Sequence, residues 1–148
     1  MRALLADIGG TNARFALLDG AALGPPLILP VAGFATAEAA VAQALAELAP
    51  QGGVERAVLA LAAPVVQEPV RLTNAHWELS STALAARFGF ARVRLVNDFL
   101  ALAHALPHFA AADLLPIGAA VGDPAAPMLV LGPGTGLGMA AYLPGPGL

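Results

Sequence analysis

Two glycine-bearing turns and two polar segments carry side chains of the right types and spacing for phosphate and hydroxyl chemistry. The first turn, Asp7-Ile8-Gly9-Gly10-Thr11-Asn12, sets an acid just ahead of paired glycines and a hydroxyl. Glycines let a backbone approach a ligand closely, and successive N–H groups form an anion-binding concavity. Thr11 adds a donor, and Asp7 offers a carboxylate to a hydrated Mg²⁺. The same residues also suit an ordinary hairpin turn with a capping acid. The second turn, Gly132-Pro133-Gly134-Thr135-Gly136-Leu137-Gly138, repeats the glycine–threonine theme. It misses the dinucleotide pattern GxGxxG, because Leu137 stands where the third glycine falls, and it reads equally as a flexible loop. Together the turns read as two jaws on one phosphate chain.

Asn97-Asp98 closes one apolar run and opens another. In open α/β sheets ligands sit at the carboxyl ends of strands. A carboxylate there orients a hydroxyl and takes its proton, while the amide binds other hydroxyls. Helix capping is the other reading of the pair, and the two roles are compatible. In Thr73-Asn74-Ala75-His76-Trp77, the His-Trp pair reads first as a loop anchor. His104 and His108 have no second ligand at metal spacing and read as structural. Glu38, Glu47, Glu55 and Glu68 read as solvated.

Composition narrows the chemistry further. The 148 residues are 58 % apolar, 11 % charged and 5 % aromatic, with net charge −3. That length fits one domain, or one domain and part of another, and that balance excludes intrinsic disorder. An acidic chain argues against nucleic acid as the main partner. No cysteine is present, so disulfides, thiolate zinc sites and cysteine nucleophiles are excluded. All seven cations are arginines, at 2, 14, 56, 71, 87, 92 and 94. Without lysine, neither the GxxxxGK[ST] phosphate loop nor the protein-kinase strand lysine is available. Backbone N–H groups and a metal must then carry the charge of any nucleotide. The uncharged stretch 124–148 is broken by prolines at 124, 127, 133, 144 and 146, so it makes no spanning helix. With no secretory signal in view, the expectation is a soluble, cytoplasmic protein without membrane partners.

Elements must position these groups. Apolar runs Ala3–Ile8 and Ala13–Leu18 flank the first turn and read as a hairpin, with a third run at Leu27–Val31. Thr36 precedes Ala37–Leu48, where Ala40, Val41, Ala44, Leu45 and Leu48 recur at helical spacing. Ala57–Ala62 has the composition of a strand covered on both faces. Ser80 or Ser81 caps a helix through Phe88, stopped by Gly89. Val93–Val96 is a strand running into Asn97-Asp98. The helix that follows ends before Pro107 and buries Phe99, Leu102, Ala103 and Leu106. Met128–Leu131 and the run to Leu143 form a last hairpin. The order β-β-β-α-β-α-β-α predicts an α/β fold with a meander at its start. The last hairpin has no later element to pack on, so the chain reads as the first part of a longer protein.

The segments LLADIGGTNARFAL, AAPVVQEPVRLTNAHWELS, VRLVNDFLALAHALP and LVLGPGTGLGMA, in this order and spacing, resemble the bacterial glucokinase family. The resemblance spans essentially the whole chain. It implies the ribonuclease-H-like (actin-like ATPase) fold: a mixed sheet starting with an antiparallel meander, plus the opening hairpin of a second domain. It implies a small domain over residues 1–107 and the start of a large one over 108–148. It implies ATP-dependent phosphorylation of glucose in glycolysis, with ATP and Mg²⁺ as cofactors, and a homodimer as the assembly to test. In that frame Asp7, Gly9, Gly10, Thr11 and Asn12 form the first phosphate turn, with Asp7 meeting Mg²⁺ through water. Gly134, Thr135 and Gly136 form the second. Asp98 is the catalytic base toward the sugar 6-hydroxyl, Asn97 binds sugar, and Asn74 and Trp77 shape the wall of the cleft. The family's Gly-Glu-Gly-Gly-His segment is not among these residues, and Pro133 stands where a small residue is usual. The piece by itself is therefore expected to be inactive and to self-associate. The alternatives are a non-catalytic sugar- or nucleotide-sensing module, or a kinase of another hexose or an amino sugar.

Overall fold

The computed structural model describes residues 1–49, 51–119, 122–123, 125–133 and 137–145. It divides into two compact units, Met1–Asp98 and Phe99–Leu148.

The first unit is built on a six-stranded mixed sheet. Strand β1 (Arg2–Ile8) pairs antiparallel with β2 (Asn12–Asp19), which carries β3 (Ala22–Leu23) and β4 (Leu27–Pro30) on its far edge. On its other side β1 pairs in parallel with β5 (Arg56–Leu61), and β5 with β8 (Arg92–Asn97). Helix α1 (Ala37–Leu48) lies between β4 and β5. The short pair β6 (Val70–Arg71) and β7 (Glu78–Leu79) precedes helix α2 (Ser81–Phe88). The meander and its parallel continuation are as the residue order predicts. The two-residue strands β3, β6 and β7 are too short to leave a periodic signal.

Pleat alternation divides the sheet into two unequal faces. Leu4, Ala6 and Ile8 of β1 lie in register with Leu17, Phe15 and Ala13 of β2 and with Ala57, Leu59 and Leu61 of β5. These residues, half-buried Leu17 excepted, form the core with Ala37, Ala40, Val41 and Ala44 of α1, Leu84 of α2, Val70, Leu79 and Trp77. Full burial of a side chain such as Phe15 or Leu59 stabilises the fold by roughly 1.5–3 kcal/mol. The opposite face carries Leu5, Asp7, Arg14, Val58, Ala60 and Arg94, all half-buried or exposed. Strand β5 is therefore covered on one face only, against the expectation for Ala57–Ala62. Its run is apolar because both faces carry small aliphatic side chains, not because both are packed.

Caps set the helix limits. Thr36 Oγ1 accepts from Ala39 N at 3.2 Å, and Ser80 Oγ from Ala83 N at 3.3 Å. Gly89 ends α2 at φ +70°, a left-handed conformation that favours glycine. Helix α3 (Asp98–Ala105) ends before Pro107, as expected, and a 3₁₀ turn over Leu106–His108 follows it. Of its predicted stripe, Ala103 is buried, Phe99 and Leu106 are half-buried, and Leu102 is 44 % exposed.

The second unit contains the hairpin of β9 (Met128–Pro133) and β10 (Leu137–Tyr142). One hairpin face carries Val130, Gly132, Gly138 and Tyr142, with Phe99 packed on the glycines and His104 edge-on to Tyr142 at 6.3 Å. The other face exposes Leu129, Leu131, Leu137 and Met139. Among the described residues no helix is long and apolar enough to cross a membrane.

Candidate functional site

The carboxyl ends of three parallel strands gather the candidates of the first unit. Ile8 of β1 is in register with Leu61 of β5, and Leu61 with Asn97 of β8. The first glycine turn, the chain after β5 and the Asn97-Asp98 pair thus leave the sheet side by side. Ala62 N donates to Ile8 O at 3.0 Å and holds the first two exits together.

The turn itself is tight. Gly9 N donates to Asn12 O at 3.0 Å, and Thr11 O accepts from Val31 N at 2.9 Å. Neither Gly9 nor Gly10 has a positive φ, so conformation does not demand glycine at either position. Space demands it at Gly10. A Cβ there would stand 2.9 Å from Asn74 Cβ and 3.0 Å from Asn74 O, whereas one on Gly9 would meet only Asn12 O at 3.5 Å. The close approach is between the turn and the Asn74 loop, which brings exposed Asn74 beside the turn.

Asp7 projects from the open sheet face, where Arg14 Nη1 donates to its Oδ2 at 3.1 Å. Both side chains are about half exposed, so the pair contributes at most about 1 kcal/mol. Arg14 drew no role from composition, yet hairpin symmetry identifies it: Asp7 and Arg14 are cross-strand partners around the turn. Among the described residues no three His, Cys, Asp or Glu side chains gather as a metal cage. Asp7 fits a Mg²⁺ that keeps waters and is otherwise held by phosphate oxygens, the usual mode for this ion.

Asn97 Nδ2 donates to Ala63 O at 3.2 Å and to Asp98 Oδ1 at 2.9 Å. The amide thereby fixes the Asp98 carboxylate against the end of β5. Asp98 is the first residue of α3, where the helix dipole favours negative charge. Helix entry and carboxylate presentation coincide in one residue.

The loop bearing Asn74 is closed by Leu72 N donating to Trp77 O at 3.1 Å. Trp77 Nε1 and His76 Nε2 both donate to Phe34 O, at 3.0 and 2.9 Å. Trp77 is 1 % exposed and belongs to the core. Its indole anchors the loop on the Phe34 carbonyl, the first reading of the His-Trp pair; an indole this size gains more from burial than from solvent contact. Glu68 is exposed, as expected, and also caps α2: its Oε2 accepts from Ser81 N at 2.6 Å and Ser81 Oγ at 2.7 Å. No spacing rule identifies this cap, because it comes from 13 residues upstream. An open groove of about 670 Å³, lined by Pro64, Gln67, Arg71 and Glu78 among others, begins one residue beyond the Ala63 carbonyl.

Gly134, Thr135 and Gly136 lie outside the described residues. Pro133 and Leu137 pair on either side of them, and Gly132 pairs with Gly138.

A sequence model of the family described as Glucokinase matches residues 4–147. The glucokinase of Marinobacter nauticus is 40 % identical over 143 residues, which cover 95 % of this chain and 44 % of that protein. Among solved structures, a glucokinase from an Antarctic psychrotroph superposes with a TM-score of 0.83 at 36 % identity, covering 96 % of this chain and 46 % of that one. A ROK family glucokinase from Streptomyces griseus, in complex with glucose and AMPPNP, gives 0.65 at 22 % identity, over 97 % and 45 %, a likeness of fold. The chain spans less than half the length of these proteins. Its fold is the mixed α/β arrangement of the actin-like sugar kinases, as the resemblance implied.

Proposed function

The chain belongs to the glucokinase family, and from that premise we propose that the whole protein transfers the terminal phosphoryl group of ATP to the 6-hydroxyl of glucose. One observation carries the reading furthest: the register of β1, β5 and β8 delivers the Gly9-Gly10 turn and the oriented Asp98 carboxylate to one end of the sheet.

Phosphoryl transfer passes through a loose transition state and needs positioning and charge neutralisation more than covalent help from the protein. Asp98 orients the sugar hydroxyl. As its oxygen bonds to phosphorus and the bond to the ADP oxygen breaks, Asp98 takes the hydroxyl proton. Asn97 holds that carboxylate in place and binds sugar. Asn74, beside Gly10, meets sugar and phosphate together, with Trp77 anchoring its loop. The first turn receives phosphate oxygens through the Gly10 N–H and the Thr11 hydroxyl, with Gly9 and Asn12 closing the turn by their own hydrogen bond, and Gly134, Thr135 and Gly136 receive them from the second turn. Mg²⁺, when bound, neutralises phosphate charge, and Asp7 holds it through water. A cytoplasmic glycolytic role, a homodimeric assembly and the domain division near residue 107 belong to the same reading.

The test is a coupled ADP-release assay on the whole protein with Mg-ATP and a panel of hexoses and amino sugars. Glucose is expected as the best acceptor. Asp98→Asn is expected to lower turnover by about 10²–10⁴-fold, the usual share of a general base. A different best sugar would reassign the substrate. No turnover with any sugar from folded protein would replace the kinase by a sensing module.

A further inference from the structure

Gly132 and Gly138 flank the second turn as strand residues. They sit inside β9 and β10, directly paired across the hairpin, and neither has a positive φ. Glycine within a strand weakens it and marks close approach by another group. Here that group is Phe99. A Cβ on Gly132 would stand 2.6 Å from Phe99 Cζ and 2.8 Å from Cε1, and a Cβ on Gly138 would overlap the same ring more severely. The glycine pair is a seat for one aromatic ring. Real Cβ atoms do not approach this closely, so alanine at either position displaces the ring, the helix or the hairpin.

We propose that Phe99 is a positioning residue: seated on the Gly132–Gly138 pair, its ring fixes the β9–β10 hairpin on α3 and thereby sets the protein's affinity for the phosphates of ATP. The seat lies one register step from the Pro133–Leu137 pair that closes the hairpin strands. A ring at this point controls the separation and twist of the strand ends. His104 against Tyr142 makes a second, edge-on contact farther along the same helix and hairpin, at 6.3 Å. Two contacts from one helix define the hairpin's orientation where one would leave it free to pivot. The consequence for ATP rests on the kinase reading above; the seat itself does not.

The experiment uses the whole protein with Phe99→Leu, Gly138→Ala and the double variant, at a temperature where all remain folded. Two readouts are taken: hydrogen exchange of the amides in 128–142 without ligand, and calorimetric affinity for AMPPNP. Each single variant is expected to speed exchange in the hairpin and to weaken AMPPNP binding about tenfold or more, within the coupling range of contacting residues. The smaller Leu side chain makes room for the Ala methyl, so the double variant is expected to recover affinity relative to Gly138→Ala. Wild-type exchange and affinity in Phe99→Leu would overturn the proposal, as would strictly additive losses in the double variant. Faster exchange with unchanged affinity would reduce Phe99 to a structural contact and overturn the positioning role. Wild-type protein that binds AMPPNP but phosphorylates no sugar would sink the kinase reading alone. Wild-type protein that binds no AMPPNP would sink the kinase reading and the affinity claim together.

Discussion

Gly9 and Gly10 look equivalent in the amino-acid sequence and are not equivalent in the fold. Gly10→Ala pushes a methyl into the backbone of Asn74, whereas Gly9→Ala makes only an ordinary contact. Gly10→Ala is expected to lower unfolding free energy by about 1–3 kcal/mol, the usual cost of overpacking. Gly9→Ala should stay within about 0.5 kcal/mol in denaturant melts. A large loss of ATP turnover in the whole protein carrying Gly9→Ala would then report the phosphate chain itself, because the fold gives that methyl room. Asn97→Ala tests the neighbouring pair. It removes both donors that tie Asp98 to Ala63, and turnover is expected to fall while unfolding stays cooperative. At this scale residue types were informative and partners were not. Arg14 follows from counting outward from the hairpin turn to Asp7. The burial of Trp77 and the reach of Glu68 to Ser81 depend on segments that meet only after folding.

Elements were legible wherever a local rule governs them. Thr36, Ser80 and Gly89 act as the caps their types predict, because capping joins residues three or four apart. Ser80→Ala is expected to cost about 1 kcal/mol in a denaturation series, the typical value of an N-cap. Sheet faces were less legible. Strand β5 is apolar on both sides, so periodicity does not reveal that one side stays open. On that open face Arg56 lies directly across from Arg92, with Arg94 two residues farther along β8. Among the described residues none of the three enters an ion pair. Like charges directly opposite destabilise a sheet, so Arg92→Glu is expected to raise stability by about 0.2–1 kcal/mol, read as a higher Tm at low salt. The same change at high salt should show a smaller gain. Helix α3 departs from its predicted stripe for a related reason: tertiary contacts at Phe99 and Ala103, not the apolar pattern alone, select its inward face.

Across the described residues, apolar surface remains open in each of the two units. The hairpin exposes Leu129, Leu131, Leu137 and Met139 on one face, and the first-unit sheet leaves Leu5 and Val58 half-buried on its open side. An exposed apolar face such as that of the hairpin drives association. The 148-residue chain by itself is expected to self-associate, with light scattering above the monomer mass at moderate concentration and no sustained glucose-dependent ADP release. A sharp monomeric peak would count against the first expectation, and steady turnover against the second. The amino-acid sequence by itself determined the fold class, the order of the main elements, the helix caps and the residues with chemical capacity. Each of these follows from local periodicity, steric preference or side-chain type. Only the tertiary structure decided that Gly10 is reserved for Asn74, that Trp77 anchors its loop on the Phe34 carbonyl, that Asn97 ties Asp98 to Ala63, and that Gly132 and Gly138 seat Phe99. Those facts are distances between segments far apart in the chain, set by strand register and close packing, and no local pattern encodes them.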